Sequence, residues 1–150
     1  MNAQRLGAFL RRHPRIGLDT SVFIYHVETN ERYLPLTTRL FEWIAAERSI
    51  GVTSTLTMTE LLVLPYKADR GDAAESVYSR AVQMPNLEWV SPTLGVASMA
   101  ARARAHYRLR TLDAVQVATA LETGATGLVT NDADFRRVTD LDILILDDLL

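Results

Sequence analysis

The chain has 150 residues, 48% of them hydrophobic, and a formal net charge of -2, which fits one domain with a sizeable core and no global field pulling it onto nucleic acid. Cysteine is absent, so disulfide frameworks, thiolate zinc sites and cysteine nucleophiles are excluded, in agreement with a reducing compartment. No apolar run approaches the ~20 residues that cross a bilayer, and the Leu6 to Leu10 stretch is too short for a signal core and runs into Arg11 and Arg12, so a soluble cytoplasmic protein with no membrane partner is expected.

Residues 1–14 read as an amino-terminal extension to a single domain. The run Arg15–Leu18 is a short buried strand stopped by Asp19, and 21–27 is a helical turn or two. Tyr33 to Pro35 is a break, after which Leu40, Phe41, Trp43 and Ile44 recur at helical spacing over 37–48, followed by a strand at 50–53. Hydroxyls at Thr53 to Thr55 are available to cap a helix whose apolar face is Leu56, Leu61, Leu62 and Leu64, with Pro65 marking its end. A further helix at 72–84 turns Val77, Ala81 and Met84 inward.

Pro85 and Asn86 make a turn before a third strand, Leu87–Val90. Pro92 reads as a first-turn residue of the next helix, which carries Leu94, Val96, Met99, Ala100 and Ala103 and then a series of arginines. Thr111 is the expected cap of a helix over 113–122 that stops at Gly124. Gly127–Thr130 is a fourth strand, 132–137 a short helix and 143–146 a fifth strand. Short apolar strands without alternation, separated by helices, call for a mostly parallel sheet covered on both faces, a three-layer α/β/α sandwich.

Against this rhythm, Asp19, Glu60, Asp113 and Asp132 each fall where a strand ends or near where a helix begins. Acids in a first helical turn have an ordinary role as dipole partners, which covers Asp113 and Asp132 taken singly. Asp19 ends a buried strand, and Glu60 lies among Thr57, Thr59, Leu61 and Leu62 in an otherwise apolar helix, where a carboxylate is rare unless paired. Two bare charges about 4 Å apart repel by roughly 4 kcal/mol at an effective dielectric near 20, so gathered acids need a cation or raised pKa values. Hard oxygen donors of this kind suit Mg2+ or Mn2+. The three histidines, His13, His26 and His106, lack metal-ligand spacing.

The segments Leu18-Asp19-Thr20-Ser21-Val22, Thr59-Glu60-Leu61-Leu62, Leu112-Asp113-Ala114-Val115-Gln116-Val117-Ala118 and Thr130-Asn131-Asp132-Ala133-Asp134-Phe135 resemble, in order and spacing, the motifs of PIN-domain ribonucleases, with the toxins of VapBC toxin-antitoxin pairs as the nearest subgroup. The resemblance runs from about Arg15 to Leu146. It implies a PIN-like fold, Mg2+- or Mn2+-dependent RNA cleavage, a homodimer, an antitoxin partner, and Asp19, Glu60, Asp113 and Asp132 as both catalytic and metal-binding residues. The 18 residues before Asp19 exceed what these small toxins usually carry, and the fourth motif offers both Asp132 and Asp134.

In the corresponding mechanism, one or two metal ions prepare a water for in-line attack on a phosphodiester. Ser21, Thr130, Asn131 and Asp134 are candidates to orient the carboxylates from behind. Of the 16 basic residues only Lys67 is lysine, and Arg108 and Arg110, nearest Asp113, are the candidates for gripping RNA phosphates. A haloacid-dehalogenase-type enzyme would need an acid where Ser21 stands, and a receiver domain would need a late lysine. The competing reading is a catalytically weak or inactive PIN-like module that binds RNA or protein.

Overall fold

Five short strands, β1 (Arg15–Leu18), β2 (Ile50–Ser54), β3 (Leu87–Val90), β4 (Gly127–Thr130) and β5 (Asp142–Ile145), form one sheet in the order β3-β2-β1-β4-β5. Every pairing is parallel, with Gly17 opposite Val52 on one side and Leu128 on the other. The coordinates are a computed structural model that describes residues 1–150. Seven helices cover the sheet: α1 (Ala3–Arg12), α2 (Thr20–Val27), α3 (Leu34–Ala45), α4 (Leu56–Lys67), α5 (Gly71–Val82), α6 (Leu94–Tyr107) and α7 (Thr111–Glu122). Two short 3-10 turns, Ala133–Arg137 and Leu146–Leu149, flank β5. No helix is long and apolar enough to cross a membrane.

The layers follow from the alternation of side chains along the strands. Ile16, Leu18, Val129 and Leu144 point to one face, where they pack with Leu6, Phe9 and Leu10 of α1, Val22 and Phe23 of α2, and Leu36, Leu40 and Ile44 of α3. Leu128 and Ile145 point to the other face, into a cluster built from Val96, Ala100 and Ala103 of α6, Ala114, Val117, Ala118 and Ala120 of α7, and Phe135. The α/β/α sandwich thus has two cores separated by an entirely parallel sheet. Alanine and glycine set the spacing on the α7 side, since a Cβ at Gly17 would lie 2.9 Å from the Ala120 Cβ.

Residues 1–14 contribute α1, capped by the Asn2 side chain, which accepts from the Arg5 amide at 3.0 Å. The helix is tied to β5 through Asp142, whose Oδ2 accepts from Arg12 Nη2 and lies against His13 Nε2, both at 2.7 Å. Burial works against the Asp142 carboxylate, and the bonds to Arg12 and His13 outweigh it, holding its pKa below the usual range.

Local signals misplace several helix ends. Helix α3 starts at Leu34 with Pro35 in its first turn, so the expected break is its beginning, as suits a residue that lacks an amide proton where none is used. Pro65 lies inside α4, where it removes the one intrahelical bond its own amide would donate, and the helix runs only two residues beyond it. Pro92 precedes α6, which is capped by Thr93 accepting from the Val96 amide at 3.1 Å. Thr111 is the first residue of α7, and Arg110 holds the cap position without capping the helix through its side chain. Leu64 and Leu94 are exposed, not core residues.

Phe9 is 2% exposed and Leu6 fully buried, so α1 belongs to the folding unit. Phe9→Ala is expected to cost about 3–5 kcal/mol in urea denaturation; a loss below about 1 kcal/mol would contradict this packing.

Candidate active site

In an open parallel sheet, ligands sit outside the carboxyl ends of the strands where strand order reverses. Here the chain runs outward from β1 through β2 to β3, then returns to β4 on the opposite side of β1. Asp19 directly follows β1, and Asp132 follows β4 by one residue beyond Asn131. Glu60 is on α4 and Asp113 in the first turn of α7. All four acids line one hollow of about 410 Å3, together with Thr20, Ser21, Ile24, Arg110, Thr111 and Leu112. A larger surface hollow of about 740 Å3 lies against α6, lined by Met99, Arg102, His106, Tyr107 and others, with Asp140 as its sole acid; its chemistry is too sparse to compete.

Hydroxyls and an amide brace the hollow from behind. Thr130 Oγ1 donates to Asp19 Oδ2 at 2.7 Å and accepts from the Asp132 amide at 3.0 Å. Ser21 Oγ accepts from the Asn131 amide at 3.1 Å, while the Asn131 side chain donates to Tyr25 and accepts from the Asp147 amide. Asp132 Oδ1 accepts from the Asp134 amide at 2.9 Å. Asp134 itself turns away to Arg137 at 2.8 Å, with its side chain half exposed, and does not line the hollow.

The electrostatics reflect four acids with few compensating charges. Asp19 is 7% exposed, and its pKa is raised from 3.8 to about 6, chiefly by burial, with Asp113 and Glu60 adding to the rise and hydrogen bonds from Thr130 and the Thr20 backbone opposing it. Burial also raises Asp113; Asp132 and Glu60 push the same way and Arg110 opposes them. Arg110 reaches both walls: its Nε donates to Asp113 Oδ2 and its Nη2 to Asp132 Oδ2, each at 3.3 Å. No three acidic or histidine side chains stand grouped as a ready metal cage. The donor set nonetheless fits a hard divalent cation, being all oxygen. The Thr20 hydroxyl, on the same lining, is buried without a protein partner.

One supporting element has no role assigned in the sequence analysis, although Gln116 lies within the motif around Asp113. Gln116 Nε2 donates to Thr57 Oγ1 at 2.7 Å, Thr57 shares a 2.7 Å hydrogen bond with Thr53, and Thr53 donates to the Leu18 carbonyl at 2.9 Å. Thr57 is three residues before Glu60 and Gln116 three after Asp113, so this buried network joins the two acid-bearing helices to β1 and β2. Its available signal is polar residues on apolar helix faces. Arg108 occupies the left-handed region at φ 54° at the end of α6 and is not among the residues lining the hollow.

The chain belongs to the PIN-domain family, a family of nucleases that generally use divalent metal ions; the family model matches residues 16–141. Solved structures share its fold. VapBC2 from Rickettsia felis, bound to a promoter DNA fragment, superposes with a TM-score of 0.67 at 17% identity, covering 87% of this chain and 98% of that one. VapC20 from Mycobacterium tuberculosis, a toxin that cleaves the sarcin-ricin loop, gives 0.64 at 16% identity over 81% and 92%. FitAcB from Neisseria gonorrhoeae gives 0.65 at 20% identity over 90% and 99%. No curated relative matches by sequence.

The raised Asp19 pKa has a definite sign in stability. Below about pH 4 both folded and unfolded states hold the proton; as pH rises to about 6 the unfolded chain ionises first, so the folded state loses ground and the deficit then stays constant. For a pKa raised from 3.8 to about 6, that deficit is at most about 3 kcal/mol. Asp19→Asn is therefore expected to be more stable than the parent at pH 7.5 in EDTA and to lose this advantage at pH 4, by urea denaturation. A variant less stable at pH 7.5 would refute an uncompensated buried charge.

Proposed function

We propose that the chain is a divalent-metal-dependent endoribonuclease that hydrolyses RNA phosphodiester bonds and serves as the toxin of a toxin-antitoxin pair. The observation that carries the nuclease reading is the convergence of four carboxylates from β1, α4, α7 and the end of β4 on one hollow. Asp19, Glu60, Asp113 and Asp132 would hold Mg2+ or Mn2+, which supplies Lewis-acid activation of water and offsets charge on the scissile phosphate. Water oxygen then bonds to phosphorus as the bond to the leaving ribose oxygen breaks, and that oxygen ends protonated. No protein nucleophile is needed.

The remaining residues position these groups. Thr130 holds Asp19 by its hydroxyl and Asp132 by its backbone, while Ser21 and Asn131 keep the turn after β4 in place. Arg108 and Arg110 are the proposed phosphate contacts, since a guanidinium fork suits phosphate oxygens. Asp134, paired with Arg137, acts on Asp132 through its amide and not as a ligand. The toxin assignment draws support from solved relatives that are toxin-antitoxin complexes, and it brings with it an antitoxin and a homodimer as proposed partners.

Purified protein is expected to cleave RNA when Mn2+ or Mg2+ is added and to stop in excess EDTA. Asp19→Asn and Glu60→Gln should each lower the single-turnover rate at least a hundredfold while circular dichroism stays native. Undiminished cleavage in EDTA, or by Asp19→Asn, would rule out the metal-nuclease reading, and a folded protein that binds RNA without cutting it would favour a binding module. Separately, expression is expected to arrest growth and a co-expressed antitoxin to relieve it; harmless expression of active nuclease would remove the toxin assignment.

A further inference from the structure

We infer that the Arg110 guanidinium is the internal cation of the carboxylate hollow, bridging Asp113 and Asp132 in the resting protein and withdrawing from them when a divalent ion loads. The inference rests on the metal-dependent reading above and adds to it a competitor encoded in the same chain. One guanidinium contacts two of the four acids, from two different elements, through two different nitrogens. No contact to Asp19 or Glu60 accompanies these. A single positive charge is thus set against four acids, which leaves an incentive for a dication to replace it.

The holding is loose and the root is fixed. Both Arg110 contacts are 3.3 Å, whereas Arg136 grips Asp148 with two nitrogens at 2.8 Å and Arg137 grips Asp134 at 2.8 Å. Charge-assisted bonds near 2.8 Å are the strong ones, so Arg110 is among the more easily released partners. Its side chain is 78% exposed, with solvent to swing into.

The backbone on either side is pinned. Leu109 is buried, Arg104 donates to the Thr111 hydroxyl, and Arg137 donates to the carbonyls of Tyr107 and Arg108 at 3.2 and 2.8 Å. The guanidinium therefore exchanges partners by side-chain rotation alone, with no loop opening, and stays at the rim where a phosphate would pass. In this resting arrangement Arg110 occupies one oxygen of Asp113 and one of Asp132.

The test is Mn2+ binding to the full chain at pH 7.5, read from the free-Mn2+ signal in electron paramagnetic resonance, without substrate. Arg110→Gln is expected to bind Mn2+ about three- to tenfold more tightly than the parent, the range appropriate to losing weak exposed ion pairs. Arg108→Gln removes the same charge two residues away and is expected to change the affinity by less than about twofold, because general repulsion at an exposed site is screened. Unchanged or weaker binding by Arg110→Gln, or equal tightening by Arg108→Gln, overturns the inference while leaving the metal site standing. Absence of Mn2+ binding in all three proteins overturns the metal-site reading and the inference with it.

Discussion

The Thr130 hydroxyl is the join on which the candidate site depends. It donates to the Asp19 carboxylate and accepts from the Asp132 amide, so one oxygen couples the acid after β1 to the acid after β4. That coupling exists because β1 and β4 are neighbours in a parallel sheet whose order reverses between them, with Leu18 opposite Val129 and the Asp19 amide donating to the Val129 carbonyl at 3.0 Å. A change in that register would turn Thr130 to the other face, since side chains alternate with period two. It would also separate Asp19 from the hydroxyl that offsets part of its burial.

The other half of the hollow is held by the Thr53, Thr57 and Gln116 network. Buried polar groups cost stability unless their hydrogen bonds are made, and here each side chain finds a partner across an element boundary. Two helices that bring Glu60 and Asp113 are thereby fixed to the same two strands. The contrast with Asp19 is informative. The network is satisfied, whereas burial raises the Asp19 pKa to about 6, so its charge costs stability above that pH and marks it as a candidate site residue.

The strands were legible because each is a short apolar run bounded by polar or turn residues, and their positions agree with the expected ones to within a residue at either end. Helix ends were less so. Proline gives an ambiguous local signal: at Pro35 it opens a helix, at Pro65 it is carried inside one, and at Pro92 it precedes the cap. Apolar side chains were equally ambiguous, because Leu64 and Leu94 have the spacing of core residues yet lie at the surface, where only the neighbours of α4 and α6 decide burial. The packing of α1 was also unreadable, since its partners lie on α3 and at the far end of the chain.

Sequence by itself determined the inventory: an α/β chain with five apolar strands, no thiols, and four acids in a familiar order at strand ends and helix starts. Those properties are local, set by periodicity, residue chemistry and turn residues. Tertiary structure decided which acids share a hollow, that Asp132 lines it while Asp134 pairs with Arg137, and that Arg110 reaches across to Asp113 and Asp132. Asp132 and Asp134 are two residues apart and chemically identical, so local pattern does not separate them. Their difference arises from the Thr130 bond that draws the Asp132 backbone toward Asp19 across paired strands more than a hundred residues apart.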